Sequence, residues 1–116
     1  MIQLQHTLPS EVAAALSELN AALAELYGER LRGMYLYGSY ARGDFHAASD
    51  VDVLIVLKGP VVAREEIDHY SKLRAEICLQ HNLVISTVPV AEDWFNQQAE
   101  PLYQSVVREG ILLNQS

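Results

Sequence analysis

Residues 36–57 read LYGSYARGDFHAASDVDVLIVL, and this stretch decides the fold. An apolar segment breaks at Gly38-Ser39, a polar loop follows, and Asp50 and Asp52 open a second apolar segment. Because side chains alternate along a strand, the two carboxylates face one side, with their Cα atoms roughly 6.5–7 Å apart. This combination is typical of a metal and phosphate site.

The residue types in this stretch suit phosphoryl chemistry. Mg²⁺ favours one or two protein carboxylates together with phosphates and waters. Two such ions, about 3.5–4 Å apart, can stabilise both the attacking and the leaving oxygen of a phosphoryl displacement. A glycine admits a phosphate close to the backbone, while a hydroxyl, N–H groups and a guanidinium can hold its oxygens. We therefore predict Asp50 and Asp52 as catalytic metal ligands, and Gly38, Ser39 and Arg42 as the phosphate-binding residues.

Two other phosphate-binding motifs are excluded. Gly38 and Gly43 have the spacing of a Walker A loop, but Asp44 and Phe45 replace its lysine and its serine or threonine. The chain also contains no Gly-x-Gly-x-x-Gly dinucleotide fingerprint. The simpler alternative is an ordinary Gly-Ser turn followed by an ordinary capping aspartate. Ten residues between the two motifs and an apolar strand beside each favour the site instead.

The N-terminal segment predicts an amphipathic helix over residues 10–27, with Ser10 as its N-cap and Gly28 as its stop. Its apolar positions recur at helical spacing. They are Val12, Leu16, Leu19, Leu23 and Leu26. This leucine face is expected to pack on the chain's own sheet, although an interface with another chain would show the same pattern.

The remaining segments predict three strands and three helices. The strands are Leu31–Tyr37, Val51–Leu57 and Leu83–Val88, the second covered on both faces and the third stopped by Pro89. The helices span residues 62–80, 91–99 and 101–109. In the first, the inward residues are expected to be Ile67, Tyr70, Leu73 or Arg74, and Ile77, with the charged residues on a solvated face. We predict one α/β domain over residues 1–116.

Composition narrows the function classes. The chain has 116 residues, 50% of them apolar, and a net charge of −7. A nucleic-acid binder usually shows a basic patch, so direct binding to nucleic acid is not expected, whereas an acidic surface suits a basic protein partner.

Cys78 is the one cysteine and is expected in the core. No secretory signal or membrane-spanning run is recognised, so a soluble cytoplasmic protein is expected.

The sequence assigns no catalytic or metal-binding role to the histidines and tyrosines. His6, His69 and His81 share no metal-ligand spacing and are expected at the surface or at caps. His46 is expected as a solvated loop residue. Tyr35, Tyr37 and Tyr40 flank the turn; we expect packing for the first two, and one of the three could stack on a base.

The Gly38-Ser39, ten residues, Asp50-x-Asp52 pattern resembles the polymerase-β-like nucleotidyltransferase superfamily. The string GSYARGDFHAASDVDVLIVL, with HNLVISTVPVAEDWF and PLYQSVVREGI further on, is similar to its minimal nucleotidyltransferases. The resemblance implies a small mixed sheet flanked by helices. It also implies an antitoxin that uses Mg²⁺ to transfer AMP from ATP to a tyrosine of a partner HEPN-domain ribonuclease toxin. In that case Gly38 and Ser39 hold the triphosphate, and Asp50 and Asp52 bind the metal.

The chain departs from this superfamily at one position. Members usually carry a third carboxylate on the next strand, as general base or metal ligand, but Leu83–Val88 contains no Asp or Glu. Ser86 and Thr87 cannot act as bases near neutral pH, and loss of a base can cost about 10²–10⁴ in rate. The alternative function is therefore a binding module of the same fold that neutralises its partner by complex formation. A small-molecule transferase is a third idea, although such enzymes usually carry an extra domain. The resemblance leaves a homodimer or a hetero-oligomer with the toxin open.

Overall fold

The computed structural model describes residues 8–115. The elements in chain order are α1 (Ser10–Tyr27), β1 (Leu31–Tyr37), α2 (Ser39–Arg42), β2 (Val51–Leu57), α3 (Ala63–His81), β3 (Ile85–Ala91), α4 (Glu92–Asn96), α5 (Pro101–Glu109) and β4 (Ile111–Gln115). The strands form one sheet in the order β3-β2-β1-β4. β1 pairs antiparallel with β2 and β4, whereas β2 and β3 are parallel, so the predicted small mixed sheet is confirmed.

The sheet is covered on both faces, as the apolar pattern of β2 predicts. Val53, Ile55 and Leu57 belong to a core with α1 and α3, while Leu54 and Val56 pack with residues of α4 and α5. All five side chains are buried. The alternation of a strand thus divides the hydrophobic residues into two layers and makes β2 the centre of the domain.

The leucine face of α1 packs within the chain. Leu19 and Leu23 are completely buried, and Leu26 is partly buried against the same core. This confirms packing on the chain's own sheet over the alternative of an interface with another chain. The N-cap lies one residue earlier than expected, because Pro9 is the N-cap and its carbonyl accepts the N–H of Ala13 at 3.0 Å. The prediction of Ser10 as N-cap is therefore wrong.

Helix α3 differs from the prediction at its inward face. Tyr70 and Ile77 are buried as expected, but Ile67 is exposed. Glu66 lies on the Tyr70 face instead, where its carboxylate accepts bonds from the Tyr27 hydroxyl at 3.0 Å and from Arg30 at 3.1 Å. A paired carboxylate thus occupies a position that the apolar pattern assigned to its neighbour, and Glu66 is not part of the solvated face.

The C-terminal third differs most from the sequence prediction. β3 begins at Ile85 and continues through Pro89 to Ala91, because it is an edge strand paired with β2, where a missing N–H is tolerated. α4 is shorter than the predicted 91–99 helix; within it Phe95 is buried and Trp94 is 60% exposed. β4 was not predicted at all.

Three smaller expectations concern Cys78, His6 and a membrane-spanning segment. Cys78 is partly buried against the main core, as expected for a small core residue. The prediction for His6 lies outside the described residues. None of the helices within residues 8–115 is long and apolar enough to cross a membrane.

Candidate functional site

The predicted site residues meet at one end of the central strands. β1 ends at Tyr37, Gly38 turns the chain, and Ser39 opens the short helix α2. Asp50 immediately precedes β2, and Asp52 is its second residue, paired in register with Tyr37. The antiparallel pairing of β1 and β2 therefore brings the Gly-Ser turn beside the two aspartates, although ten residues separate the motifs.

Gly38 and Asp52 approach each other closely. A Cβ added at Gly38 would collide with Oδ2 of Asp52 and would lie 3.2 Å from its Cγ. Gly38 also has φ 75° and ψ −153°, a conformation that side chains rarely tolerate. Glycine at this position thus allows the Asp52 carboxylate to lie directly against the backbone of the turn.

The two aspartates interact electrostatically. Partial burial raises the pKa of Asp52 above its ordinary value, the nearby Asp50 raises it further, and Arg42 opposes both effects. Asp50 is exposed at the mouth of the site. A pair of carboxylates that repel each other in this way is a suitable place for a cation.

Arg42 is close to the aspartates but engaged elsewhere. Its guanidinium donates to Asp44 at 3.2 Å and forms a longer ion pair of 3.9 Å with Glu109, at the end of α5. The Glu109 contact could not be read from the sequence, because 67 positions separate the two residues. A phosphate at this turn would compete with these carboxylates for the guanidinium.

Ser86 lies on β3, next to the two aspartates at the start of β2. It pairs in register with Asp52, and its hydroxyl donates to Oδ2 of Asp50 at 3.3 Å. Tyr37, Asp52 and Ser86 therefore form a row across three adjacent strands. Burial, and then the charge of Asp52, raise the pKa of Tyr37. Sequence reasoning assigned Tyr37 to packing and did not foresee the Ser86 contact, since strand register is not visible in the sequence.

As the sequence indicates, β3 supplies no third carboxylate to the site. β3 carries no Asp or Glu within its bounds, and Glu92 follows it at the far end, where it pairs with Arg32 at 3.1 Å. Across residues 8–115 no three His, Cys, Asp or Glu side chains are grouped to hold a metal. Asp50 and Asp52 are thus the two carboxylates that the site provides.

The donor set fits a divalent cation of the magnesium type. Carboxylate and hydroxyl oxygens come together here, and hard cations prefer oxygen ligands. Mg²⁺ in phosphoryl-transfer sites is commonly held by one or two carboxylates and completed by substrate phosphates and waters. Asp50 and Asp52 would supply those two carboxylates.

The loop that joins α2 to β2 is held by its own side chains. The His46 N–H donates to the Ser49 hydroxyl at 2.9 Å, and Nδ1 of His46 accepts the Ala48 N–H at 3.2 Å. His46 is exposed, as expected for a solvated loop residue. Tyr40 is buried and stacks on Phe45 with ring centroids 4.3 Å apart, so packing also accounts for this tyrosine.

A cleft of about 820 Å³ reaches Asp50 from the side of this loop. Its walls come from the start of α1, the loop at residues 45–49 and the connection from α3 to β3. His81 lies in this wall and bridges Glu11, at 2.7 Å, and Glu18, at 2.9 Å. His81 is therefore a link between α1 and α3 and not a helix cap, because Asn82 is the C-cap of α3.

Comparison with known proteins agrees with this geometry. Residues 16–112 match the family described as nucleotidyltransferase domain. MJ0604 of Methanocaldococcus jannaschii, provisionally named a protein adenylyltransferase, is 34% identical over 100 residues, which are 85% of this chain and 94% of that relative.

Solved structures share the fold at lower identity. A toxin–antitoxin crystallised with AMP-PNP matches with a TM-score of 0.65 and 21% identity, over 87% of this chain and 73% of that one. A protein from Sulfolobus solfataricus, provisionally described as a nucleotidyltransferase, matches with a TM-score of 0.58 and 19% identity, over 96% and 92% of the two chains. The predicted fold and the prediction of a nucleotidyltransferase enzyme are confirmed, and this chain belongs to the nucleotidyltransferase domain family.

Proposed function

We propose that this chain is an antitoxin that transfers AMP from ATP to a tyrosine hydroxyl of a HEPN ribonuclease toxin. The observation that carries the proposal is the meeting of Asp50 and Asp52 with the Gly38-Ser39 turn. The provisional name of the relative MJ0604 supports a protein acceptor. The toxin–antitoxin structure with AMP-PNP supports a toxin partner and a nucleoside triphosphate.

The reaction is a displacement at the α-phosphorus. The acceptor oxygen forms a bond to the α-phosphorus, the bond between that phosphorus and the α–β bridging oxygen breaks, and pyrophosphate leaves with the electron pair. Gly38 and Ser39 would hold the triphosphate, Arg42 would add positive charge, and Asp50 and Asp52 would hold Mg²⁺. When bound, the cation neutralises charge that develops on the phosphate oxygens.

The proton of the acceptor hydroxyl must be taken up by a group that does not lie on β3. Ser86 stands opposite Asp52, and a serine is no base at neutral pH. We propose that water or a group on the partner takes the proton. Positioning and electrostatic stabilisation dominate phosphoryl transfer, so activity can survive the loss of this group.

The direct test is transfer of labelled AMP. The purified chain is incubated with Mg²⁺, labelled ATP and the protein encoded by the neighbouring gene, and the label is sought on a tyrosine of that partner. Replacing Asp50→Asn together with Asp52→Asn is expected to abolish labelling. The variant should remain folded, because the raised pKa of Asp52 means that its ionised form is disfavoured in the native state.

A matched control distinguishes the loss of the site from the loss of two negative charges. Asp68→Asn with Asp93→Asn removes the same two charges from exposed positions elsewhere and should label the partner at the wild-type rate. Absence of label with the wild-type chain would refute the proposed transfer.

The alternative function is neutralisation by complex formation, and the observation that favours it is the serine in place of a third acid. The same variants decide between the two. If Asp50→Asn with Asp52→Asn still neutralises the partner in cells, the chain acts by binding and not by AMP transfer.

A further inference from the structure

A carboxylate that belongs to neither sequence motif reaches the phosphate-binding turn. Glu109, the last residue of α5, forms an ion pair with Nη1 of Arg42 at 3.9 Å. Nε of the same guanidinium donates to Asp44 at 3.2 Å. Two carboxylates, one from the loop after α2 and one from the end of α5, therefore hold the arginine that we predict to bind phosphate.

The fold fixes the position of Glu109 beside the turn. Gly110 follows it, and Ile111 then opens β4 by pairing with Leu36 of β1. A Cβ added at Gly110 would collide with the carbonyl oxygen of Val106 and lie 3.3 Å from that of Leu36. The end of α5 is thus packed directly against the backbone of β1, two residues before the Gly-Ser turn. The pairing of β4 with β1 therefore carries Glu109 to Arg42.

A third carboxylate lies within the electrostatic range of Arg42. The positive charge of Arg42 acts on Asp52, where it opposes the rise in pKa that burial and the charge of Asp50 cause. Within residues 8–115, however, the ion pairs of Arg42 go to Asp44 and Glu109, and none joins it to Asp52. The arginine is thus drawn to the side of the turn that faces away from the metal-binding pair.

The pair between Arg42 and Glu109 is suited to exchange. The two side chains are 46% and 37% exposed, and solvent weakens ion pairs at such positions. A triphosphate carries several negative charges and binds a guanidinium more strongly than one carboxylate does. A nucleotide at the turn can therefore take Arg42 over from Glu109.

We propose that Glu109 is a positioning residue, which draws Arg42 away from Asp52 and so leaves both aspartates free for a divalent cation before the nucleotide binds. Asp44 engages Nε alone, so the loss of Glu109 releases the Nη1 end of the guanidinium towards Asp52. There it competes with the cation for the carboxylate. This inference rests on the proposed function in one respect, the cation at Asp50 and Asp52, and it needs neither the toxin nor its tyrosine.

The test measures Mn²⁺ binding to the purified chain alone, without nucleotide or partner, by electron paramagnetic resonance. Glu109→Gln removes the ion pair and keeps the shape of the side chain. Arg42→Gln and the variant with both changes complete a double-mutant cycle. Glu92→Gln is the matched control, because Glu92 forms an ion pair of comparable exposure with Arg32 at the far end of β3. Unfolding curves check that each variant is folded.

We expect Glu109→Gln to raise the Kd for Mn²⁺ about two- to fivefold, the range typical of exposed ion pairs. Arg42→Gln should lower this Kd, because it removes a positive charge beside the aspartates. In the Arg42→Gln background, Glu109→Gln should have almost no further effect, since no guanidinium is left to draw away. Glu92→Gln should bind Mn²⁺ as the wild type does.

The outcomes separate this inference from the proposed function. If the wild-type chain binds Mn²⁺ no more tightly than the variant with Asp50→Asn and Asp52→Asn, the metal site fails and the role of Glu109 with it. If the wild-type chain binds Mn²⁺ and Glu109→Gln leaves the Kd unchanged or lowers it, the role of Glu109 alone is refuted. An equal rise in Kd with and without Arg42 would also refute it, because Glu109 would then act by its own charge or by a structural effect.

Discussion

Replacing Gly38 with alanine would test whether the turn after β1 holds Asp52 in its functional place. The backbone at Gly38, with φ 75° and ψ −153°, lies in a region that essentially only glycine visits, and such strain costs about 1–3 kcal/mol. The new Cβ would also collide with Oδ2 of Asp52 and lie 3.4 Å from its Cβ. The carboxylate must therefore move away from the turn, or the turn from the carboxylate.

Gly28 offers a matched control for the strain. It has φ 56° and ψ −126°, but a Cβ added there meets nothing within 4 Å. Gly28→Ala and Gly38→Ala should therefore both lose about 1–3 kcal/mol of stability, or roughly 4–12 °C in Tm at about 4 °C per kcal/mol for a domain of this size. Displacement of Asp52 is expected in the Gly38 variant alone. A misplacement of about 1 Å can cost about 10²-fold in rate, which is the loss of kcat that we expect.

The assay combines urea unfolding with two functional readouts at a temperature where both variants are folded. Labelled AMP transfer gives kcat, and Mn²⁺ binding reports on the aspartates without any reaction. Gly28→Ala should keep the wild-type values of both, whereas Gly38→Ala should lose both. Equal AMP transfer and equal Mn²⁺ affinity in the two variants would show that the approach of Gly38 to Asp52 has no functional role.

Two further predictions concern neighbours of the site. Ser86→Asp restores an acid opposite Asp52; it should tighten Mn²⁺ binding and, if a base was missing, speed AMP transfer by up to about 10²-fold, with the neutral Ser86→Asn as control. Tighter binding without faster transfer would show that proton removal does not limit the rate. For His81, hydrogen bonds to Glu11 and then Glu18 raise its pKa, so the link between α1 and α3 stabilises the fold fully below pH about 6.5 and less as pH rises through the raised pKa. His81→Gln should flatten the decline of Tm between about pH 6 and pH 9, and an unchanged decline would contradict this role.

The sequence determined the central part of this fold because its signals are local. The apolar run of β2 and the spacing of the leucines in α1 fix one strand and one helix by their own periodicity. Gly38 follows the end of one strand, and Asp50 and Asp52 lie at the start of the next. These two strands pair antiparallel. Each of these features depends on backbone geometry and side-chain alternation, which a single sequence records.

The tertiary structure alone decided the features that depend on partners distant in sequence. Pro89 lies inside β3 because that strand is at an edge, and β4 pairs with the side of β1 that faces away from β2. Glu66 replaces Ile67 on the inner face of α3 because Tyr27 and Arg30 come to it from another element.

The same division applies to the site. The sequence predicted the candidate site residues and showed that β3 contributes no acid, because composition and spacing are properties of the chain itself. The structure decided that Ser86 stands opposite Asp52, that Arg42 pairs with Glu109, and that Val84 lines the same cleft as Asp50. The physical reason is that strand register and the packing of helices are set by the whole core, and no local pattern encodes either one.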